Sequence, residues 1–328
     1  MVHEAKERSG FPIRRTLAAL AICPSSYYRW VRTGPACPAA PRSGPGTLYR
    51  LLPEERGAIV DYALSHPEVR HRELAWKMLD EGVCAVSASS VYRVLGEEHL
   101  IGRWAPKARA KGQGRQERPG RPDELWQTDI RYTKVNERSY YLLTFMDVYS
   151  RYIVYHELLR TMDGLSVSIA AAAALAALPA GATPTIQSDH GSCFISGDFA
   201  ATLRENRITH TRIRPHTPTD NAEIERCQRT IGEAIDQQEP DSYGEAQRVV
   251  DAVIDHYNHE RLHSALGFLR PIDYYRGNPE ALLAERRRKL ATAREIRKQQ
   301  NLKLRQRLIP FPDERLSLNQ NRVLSHFL

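Results

Sequence analysis

Three carboxylates in the middle of the chain stand at positions from which a protein can do chemistry. Asp189 ends the apolar, β-branched run of TPTIQSDHGSCF, and Gly191 lets the chain turn away from that strand end. Asp129 lies inside the run LWQTDIRYTKV, and Glu225 lies about one and a half turns into a helix predicted to begin at Asp220. A central strand, a neighbouring strand end and a covering helix can bring these three side chains to one point.

Such a cluster predicts a site for divalent metal ions. Three ionised carboxylates repel one another and are stable together only when cations neutralise them. Mg²⁺ prefers oxygen ligands and keeps positions open for water and phosphate. Two such ions about 3.5–4 Å apart can hold the attacking and leaving oxygens of an in-line phosphoryl displacement. We therefore expect Mg²⁺ as the cofactor, two ions bound at Asp129, Asp189 and Glu225, and Mn²⁺ as a substitute.

Each of these carboxylates also has an ordinary structural interpretation. Asp129 is alternatively a solvated strand residue, and Asp189 an Asx-turn residue. Glu225 is alternatively surface charge, with Glu223 or Asp220 as the true ligand. Asp220 suits the N-cap of its helix, since Asp is favoured at that position.

The surrounding pattern predicts an α/β fold with a mixed sheet. Apolar runs predict strands at 125–135, 139–150, 151–159, 185–189 and 209–215, and helical periodicity predicts helices at 164–178, 196–206, 220–235 and 244–260. Three sequential strands followed by alternating helices and strands indicate a mixed sheet flanked by helices. Asp147 lies in the second predicted strand, where we expect it to orient the local backbone.

Composition points to a polyanionic partner. The chain has 328 residues, enough for two or three domains, and carries a formal net charge of +8. Nucleic acid is the first candidate partner, and a merely basic protein is the alternative. The five cysteines show no CxxC spacing, which predicts reduced thiols in the cytoplasm. The polar N-terminus predicts no signal peptide, and the apolar run 168–178 is too short to span a membrane.

Two helical units precede the predicted sheet. Residues 14–33 read as two short helices around a tight turn, with Leu17, Leu20 and Ile22 as the apolar face and Tyr28 and Arg29 toward DNA. This pattern is typical of a helix-turn-helix, and a plain helical hairpin is the alternative.

The second unit, 53–102, repeats that organisation. Ser87 is a plausible N-cap for a helix that buries Val91, Val94 and Leu95 and exposes Tyr92 and Arg93. Two such units in tandem favour DNA binding more than either alone.

Two segments of the sequence are strongly basic. Residues 103–121 carry seven Lys or Arg, Lys107, Arg109 and Lys111 among them, against one Glu. This composition predicts a flexible arm that follows phosphates, or else a solvated spacer. The helical tail holds ten basic residues within 286–307, and either contacts phosphates or pairs protomers.

Five segments together resemble the DDE transposases of bacterial insertion sequences, closest to the insertion-sequence-three type. They are WQTDIRY, TFMDVYSRYIV, QSDHGSCF, DNAEIERCQRTI and YNHERLHSALGFLRP, and they occur in the family's order over about 123–275. The 35 residues between Asp189 and Glu225 also resemble the family's spacing. The resemblance implies a ribonuclease-H-like core of the retroviral-integrase type, with five strands and flanking helices.

The resemblance also implies roles for particular residues. Asp129, Asp189 and Glu225 would be the catalytic, metal-binding set, and His190 and Arg229 would contact DNA. The family often has a basic residue two turns beyond the helical Glu, where this chain has Gly232, so Arg229 is the candidate instead. Cys227 stands where an aromatic residue is frequent.

We therefore expect a DNA transposase that cleaves and joins double-stranded DNA, as a homo-oligomer associated with the bacterial nucleoid. Its expected parts are a helix-turn-helix region with linker, a second such domain, a basic linker, an integrase core and a basic helical tail, at 1–46, 47–102, 103–122, 123–278 and 279–328. A catalytically silent DNA-binding regulator and a nuclease that cuts without joining are the alternatives.

Overall fold

A computed structural model describes residues 2–20, 22–33, 48–101, 119–179, 181–214 and 221–308. The described residues form two compact units, one drawn from 1–52 and 294–328 and the other from 53–293. Among the described helices, none is both long and apolar enough to cross a bilayer. The four cysteines within the described residues form no disulfide bond.

The first unit begins with three short helices, α1 (Val2–Ser9), α2 (Ile13–Ala19) and α3 (Pro24–Thr33). Pro24 opens α3, where its missing N–H and fixed φ are tolerated. Leu17 is fully buried, as predicted, whereas Leu20 follows the end of α2 and is 37% exposed, contrary to the predicted apolar face. Tyr28 is exposed on α3, and Arg29 follows it in the same helix.

The second unit starts with a three-helix domain, α4 (Pro53–Ser65), α5 (His71–Asp80) and α6 (Ala88–Glu97). Ser87 caps α6 as predicted, since its side chain accepts a hydrogen bond from the Ser90 N–H at 3.3 Å. The apolar face of α6 is buried against the other two helices, and Tyr92 and Arg93 lie on its exposed face.

A five-stranded mixed sheet forms the centre of this unit. Its strands are β1 (Leu125–Val135), β2 (Arg138–Asp147), β3 (Ile153–Leu159), β4 (Thr185–Ser188) and β5 (His210–Arg212). Their order across the sheet is β3-β2-β1-β4-β5. β2 is antiparallel to β1 and β3, while β4 is parallel to β1 and β5. The predicted mixed sheet and the central position of the strand that carries Asp129 are confirmed.

Helices cover both faces of the sheet. They are α7 (Gly164–Ala176), α8 (Ser192–Ile195), α9 (Gly197–Glu205), α10 (Ala222–Asp236) and α11 (Tyr243–His259). One apolar core joins Trp126, Phe145 and Phe199 to α7, and the other joins Leu142 and Met146 to α10 and α11. Because side chains alternate between faces along a strand, neighbouring residues of β1 face opposite cores.

The chain continues into α12 (Pro271–Tyr275) and the long α13 (Pro279–Leu308), so the described part of the predicted tail is helical. Arg286 in α13 is only 5% exposed. Its guanidinium donates to Asp80 at 2.9 Å and to the carbonyls of Gly267 and Phe268, and lies 4.9 Å from the Trp76 ring centre. The donors of Arg286 are therefore engaged inside the protein, which leaves phosphate contacts of the tail to its exposed basic residues.

Replacing Arg286 with Met is expected to destabilise the protein by about 2 kcal/mol, since it removes the buried guanidinium from a partly exposed Asp80 and from two carbonyl partners. Urea unfolding measures the change. The matched control is Arg287→Met, because Arg287 is exposed on the same helix, and its effect should stay within about 0.5 kcal/mol. Equal loss in both variants would contradict the structural role of Arg286.

Several predicted features lie outside the described residues. Most of the basic linker does so, with Lys107, Arg109 and Lys111, and so do Asp220 and Cys37.

Candidate active site

The parallel register of β1 and β4 brings two of the predicted carboxylates to one edge of the sheet. Gln127 of β1 pairs with Gln187 of β4. Asp129 and Asp189 each follow two residues later, so both lie toward the carboxyl ends of adjacent parallel strands. Asp129 lies within the longer β1, and Asp189 comes directly after β4.

Local backbone donors hold one oxygen of each aspartate. The Ile130 N–H donates to Asp129 Oδ1 at 2.8 Å, and the Gly191 N–H donates to Asp189 Oδ1 at 2.9 Å. A side chain at 191 would press against that Asp189 oxygen, which explains the glycine. The second oxygen of each carboxylate remains for another partner.

Glu225 lies on the exposed side of α10. Burial raises the pKa of Asp129 to about 6; the Ile130 hydrogen bond opposes this rise, and the negative charges of Asp189 and Glu225 add to it. The charges of Asp189 and Glu225 therefore both act electrostatically on Asp129.

The donors present suit a hard divalent cation in their chemistry. They are carboxylate oxygens, and their mutual repulsion is the kind that a cation relieves. Within the described residues, no three His, Cys, Asp or Glu side chains form a group already set to hold a metal ion.

The neighbouring acidic residues have other partners. Asp147 is fully buried and accepts hydrogen bonds from the backbone N–H groups of Asp123 and Ser150 at 3.0 and 2.8 Å, so it orients the backbone as expected. Glu223 pairs with the buried Arg151 at 3.2 Å. Asn221 occupies the N-cap position of α10, without a side-chain capping hydrogen bond.

Three buried glutamines near the carboxylates were missed by sequence reasoning. Gln127 and Gln187 bond to each other, and Gln228 of α10 donates to the Asp129 carbonyl. The signal that could have identified two of them is the repeated pattern of Gln, a small hydroxyl residue and Asp, in QTD and QSD.

The predicted DNA-contacting residues of the core are both on the surface. His190 is exposed immediately after Asp189, and Arg229 is exposed one turn beyond Glu225 on α10. At Gly232, the guanidinium of Arg131 from β1 fills the space that a side chain would need. Arg131 also pairs with Asp236 at 2.6 Å.

Two family models match the part of the chain that holds this site. Both are described as integrase core domain, one over residues 119–218 and the other over 206–271. Together they span the strands and helices that carry all three carboxylates. The catalytic core domain of HTLV-2 integrase, solved in complex with magnesium, is similar over 48% of this chain and 99% of that one, at 17% identity and a TM-score of 0.41.

Curated relatives come from bacterial insertion sequences. The transposase for insertion sequence element IS904 of Lactococcus lactis is 28% identical over 159 residues, which cover 48% of this chain and 63% of that protein. A transposase-like protein of Haemophilus influenzae is 28% identical over 154 residues, 47% of this chain and 71% of the relative. With integrase core domain matches over residues 119–218 and 206–271, the chain is similar to the transposases of bacterial insertion sequences.

Proposed function

We propose that Asp129, Asp189 and Glu225 bind divalent metal ions and that this site cleaves DNA at an element end and joins it to target DNA. The observation that carries the proposal is the placement of Asp129 and Asp189 two residues beyond the Gln127–Gln187 pair of adjacent parallel strands, with the charge of Glu225 from α10 acting on Asp129. The integrase-domain match over the same residues supports it.

The proposed cofactor is Mg²⁺, bound as two ions, with Mn²⁺ able to substitute. When bound, such ions activate water or a 3′-hydroxyl for attack and stabilise the departing 3′-oxygen. The chain's own contribution is to hold the carboxylates in place through the Ile130 and Gly191 N–H groups. No Ser, Tyr or Cys nucleophile is required, and the nearby Cys193 thiol is buried with a raised pKa, mainly because of that burial.

Exposed basic groups beside the carboxylates would bind the DNA backbone. Arg229 lies one turn from Glu225, and His190 lies next to Asp189. We assign both to phosphate contacts near the scissile bond, because such contacts position a duplex without reading its sequence.

The helical units at the N-terminal side would recognise the element ends. Supporting this, the three-helix domain exposes Tyr92 and Arg93 on α6, and α3 exposes Tyr28. The Arg93 guanidinium donates to the Ser89 carbonyl at 3.3 Å within α6 and has no carboxylate partner among the described residues. Arg29, Lys107, Arg109 and Lys111 are proposed to add phosphate contacts.

Replacing Arg93 with Gln is expected to weaken binding to element-end DNA by roughly tenfold if Arg93 contacts a base. Fluorescence anisotropy on end and random duplexes measures this. Arg56→Gln is the control: it removes the same charge from the same domain, but Arg56 is engaged with Glu97 and Glu98. Equal weakening on both duplexes would leave only an electrostatic role for Arg93.

The five-part domain division, a homo-oligomeric active complex and association with the bacterial nucleoid in the cytoplasm belong to the same proposal. Joining requires two DNA ends to be held together, which a single site on one chain does not provide. The exposed basic residues of the tail, such as Arg287 and Arg288, are proposed to bind phosphates, whereas Arg297 is buried.

Strand transfer with purified protein, Mg²⁺ and labelled end DNA tests the proposed function. Joined products that disappear in EDTA are the expected result. Cleaved but unjoined DNA would identify a nuclease, and binding with neither reaction would identify a silent DNA-binding protein. Either outcome would overturn the proposed strand-transfer activity.

A further inference from the structure

We infer that a set of polar contacts between β1, β4 and α10, the polar ladder, sets the position of Glu225 relative to Asp129 and Asp189. The polar ladder consists of Gln127, Gln187, Gln228 and Arg131. The inference rests on the proposed function, because it assigns the polar ladder a role only in positioning the three carboxylates. These are positioning residues, since they act through the groups they hold.

The geometry of a strand against a helix allows the ladder to form. Residues 127, 129 and 131 of β1 point to one face, and two strand residues advance about 6.6 Å. Residues 224, 228 and 232 of α10 lie along one side of the helix, and four helical residues advance about 6.0 Å. The two repeats nearly match, so successive contacts can form along the pair.

Each step of the ladder is a specific contact. The Ile224 N–H donates to Gln127 Oε1 at 3.3 Å. The Gln228 amide donates to the Asp129 carbonyl at 3.3 Å and to Thr144 Oγ1 at 2.8 Å. Farther along, the Arg131 guanidinium lies against Gly232 and pairs with Asp236 at 2.6 Å. The contact at Gln127 involves the residue directly before Glu225.

Gln127 also extends the ladder to the second aspartate. Its Nε2 donates to Gln187 Oε1 at 3.0 Å, across the pair of residues that sets the β1–β4 register. Both side chains are at most 5% exposed. One amide therefore links the three elements that carry the carboxylates, at a point one or two residues from each of them.

Apolar packing alone would not fix this position. Ile224, Ile231 and Ile235 already bury α10 against the sheet. Apolar contacts are non-directional, so they hold a helix on a sheet without fixing its position along the strand. Hydrogen bonds weaken steeply when their geometry is lost, so they resist such sliding.

The first test compares Gln127→Met and Gln228→Met with wild type in the full chain. Loss of partners that orient metal-binding groups should raise the Mg²⁺ concentration for half-maximal strand transfer by roughly tenfold. A purely structural defect would lower the yield at every Mg²⁺ concentration without moving that midpoint. Thr133→Val is the matched control, because Thr133 is buried on the same face of β1 and its hydroxyl has no hydrogen-bond partner among the residues that the structure describes.

A second variant covers the case in which the methionine variants fail to fold. Gly232→Ala raises helix propensity, yet its methyl group would displace the Arg131 guanidinium. Gly232→Ala should therefore raise the Mg²⁺ concentration for half-maximal strand transfer. Gly244→Ala in α11 should leave that concentration unchanged, because its added methyl group meets nothing within 4 Å.

Hydrogen exchange measured by mass spectrometry gives a second readout, which does not depend on Mg²⁺-dependent strand transfer. Peptides that cover the start of α10 should exchange several-fold faster in Gln127→Met and Gly232→Ala, and at the wild-type rate in both controls. Unchanged exchange, or faster exchange with an unchanged Mg²⁺ midpoint, would overturn the inference. If wild type joined no DNA in Mg²⁺, the proposed function would fail, and the exchange rates would still decide whether the ladder holds α10.

Discussion

Asp129→Asn, Asp189→Asn and Glu225→Gln are each expected to lower the strand-transfer rate at least about a thousandfold, or roughly 4 kcal/mol in the barrier. The physical reason is that the carboxylates act as one unit, since each contributes charge to the same point. Combining two of the substitutions should therefore cost little more than one. Affinity for end DNA should persist, because the proposed recognition residues lie in other helices.

Glu223→Gln is the matched control for the helical carboxylate. Glu223 lies in the same first turn of α10, but it pairs with Arg151. It is not among the groups that shift the pKa of Asp129. Its replacement should leave joining within a few-fold of wild type. If Glu225→Gln retained near-normal joining and Glu223→Gln did not, the assignment of the third ligand would be wrong. Gel analysis of joined and cleaved products distinguishes these outcomes.

The central sheet could be predicted because its strands carry long apolar, β-branched and aromatic runs. Those runs match β1, β2 and β3 closely. The second strand ends at Asp147 rather than 150, because the Asp147 carboxylate accepts the Ser150 N–H and closes a turn. α8 was not predicted, since four residues are too few to show helical periodicity.

Charge counting could not separate structural from exposed arginines. Arg286 occurs in a run of four basic residues, which is typical of a phosphate-binding surface. Its partner Asp80 lies 206 residues earlier in the chain, and only tertiary structure brings them together. Exposed neighbours such as Arg287 keep the predicted role as a proposal.

The carboxylates and their supports differ in how visible they are in the sequence. Asp129 and Asp189 stand at strand positions that local pattern reveals, and the family resemblance supplies Glu225. The polar ladder is less visible, because a buried glutamine and a solvated one look alike in a single sequence. Its partners are determined by the β1–β4 register and by the placement of α10.

Without metal, the burial of the Asp129 carboxylate beside two other carboxylates should make the folded protein less stable at neutral pH. The pKa of Asp129 is about 6 in the folded chain against 3.8 for an unperturbed aspartate, mainly because of burial. Below about pH 4 the Asp129 carboxyl is protonated in both the folded and the unfolded state, so it has no net effect on folding stability. Between about pH 4 and 6 the unfolded state loses the proton first, so folding stability falls, and the loss is complete above pH 6.

Asp129→Asn is therefore expected to stabilise the metal-free protein above pH 6, by up to about 3 kcal/mol for a shift of this size. The gain should vanish near pH 4, where the wild-type carboxyl is protonated. Saturating Mg²⁺ should reverse the order, because ion binding stabilises only the wild-type fold. Thermal unfolding in EDTA and in Mg²⁺ at pH 4 and 7.5 measures all four conditions.

Asp147→Asn removes the same charge from another buried aspartate, but its expected effect on folding stability has the opposite sign. Burial also raises the pKa of Asp147, but its oxygens accept hydrogen bonds from Asp123 and Ser150. An asparagine there would turn an NH₂ group toward one of these donors, so the variant should lose stability in EDTA and Mg²⁺ alike. If Asp129→Asn were destabilising in EDTA at pH 7.5, the carboxylate would be held by the protein itself, and the case for a cation at this edge of the sheet would fail.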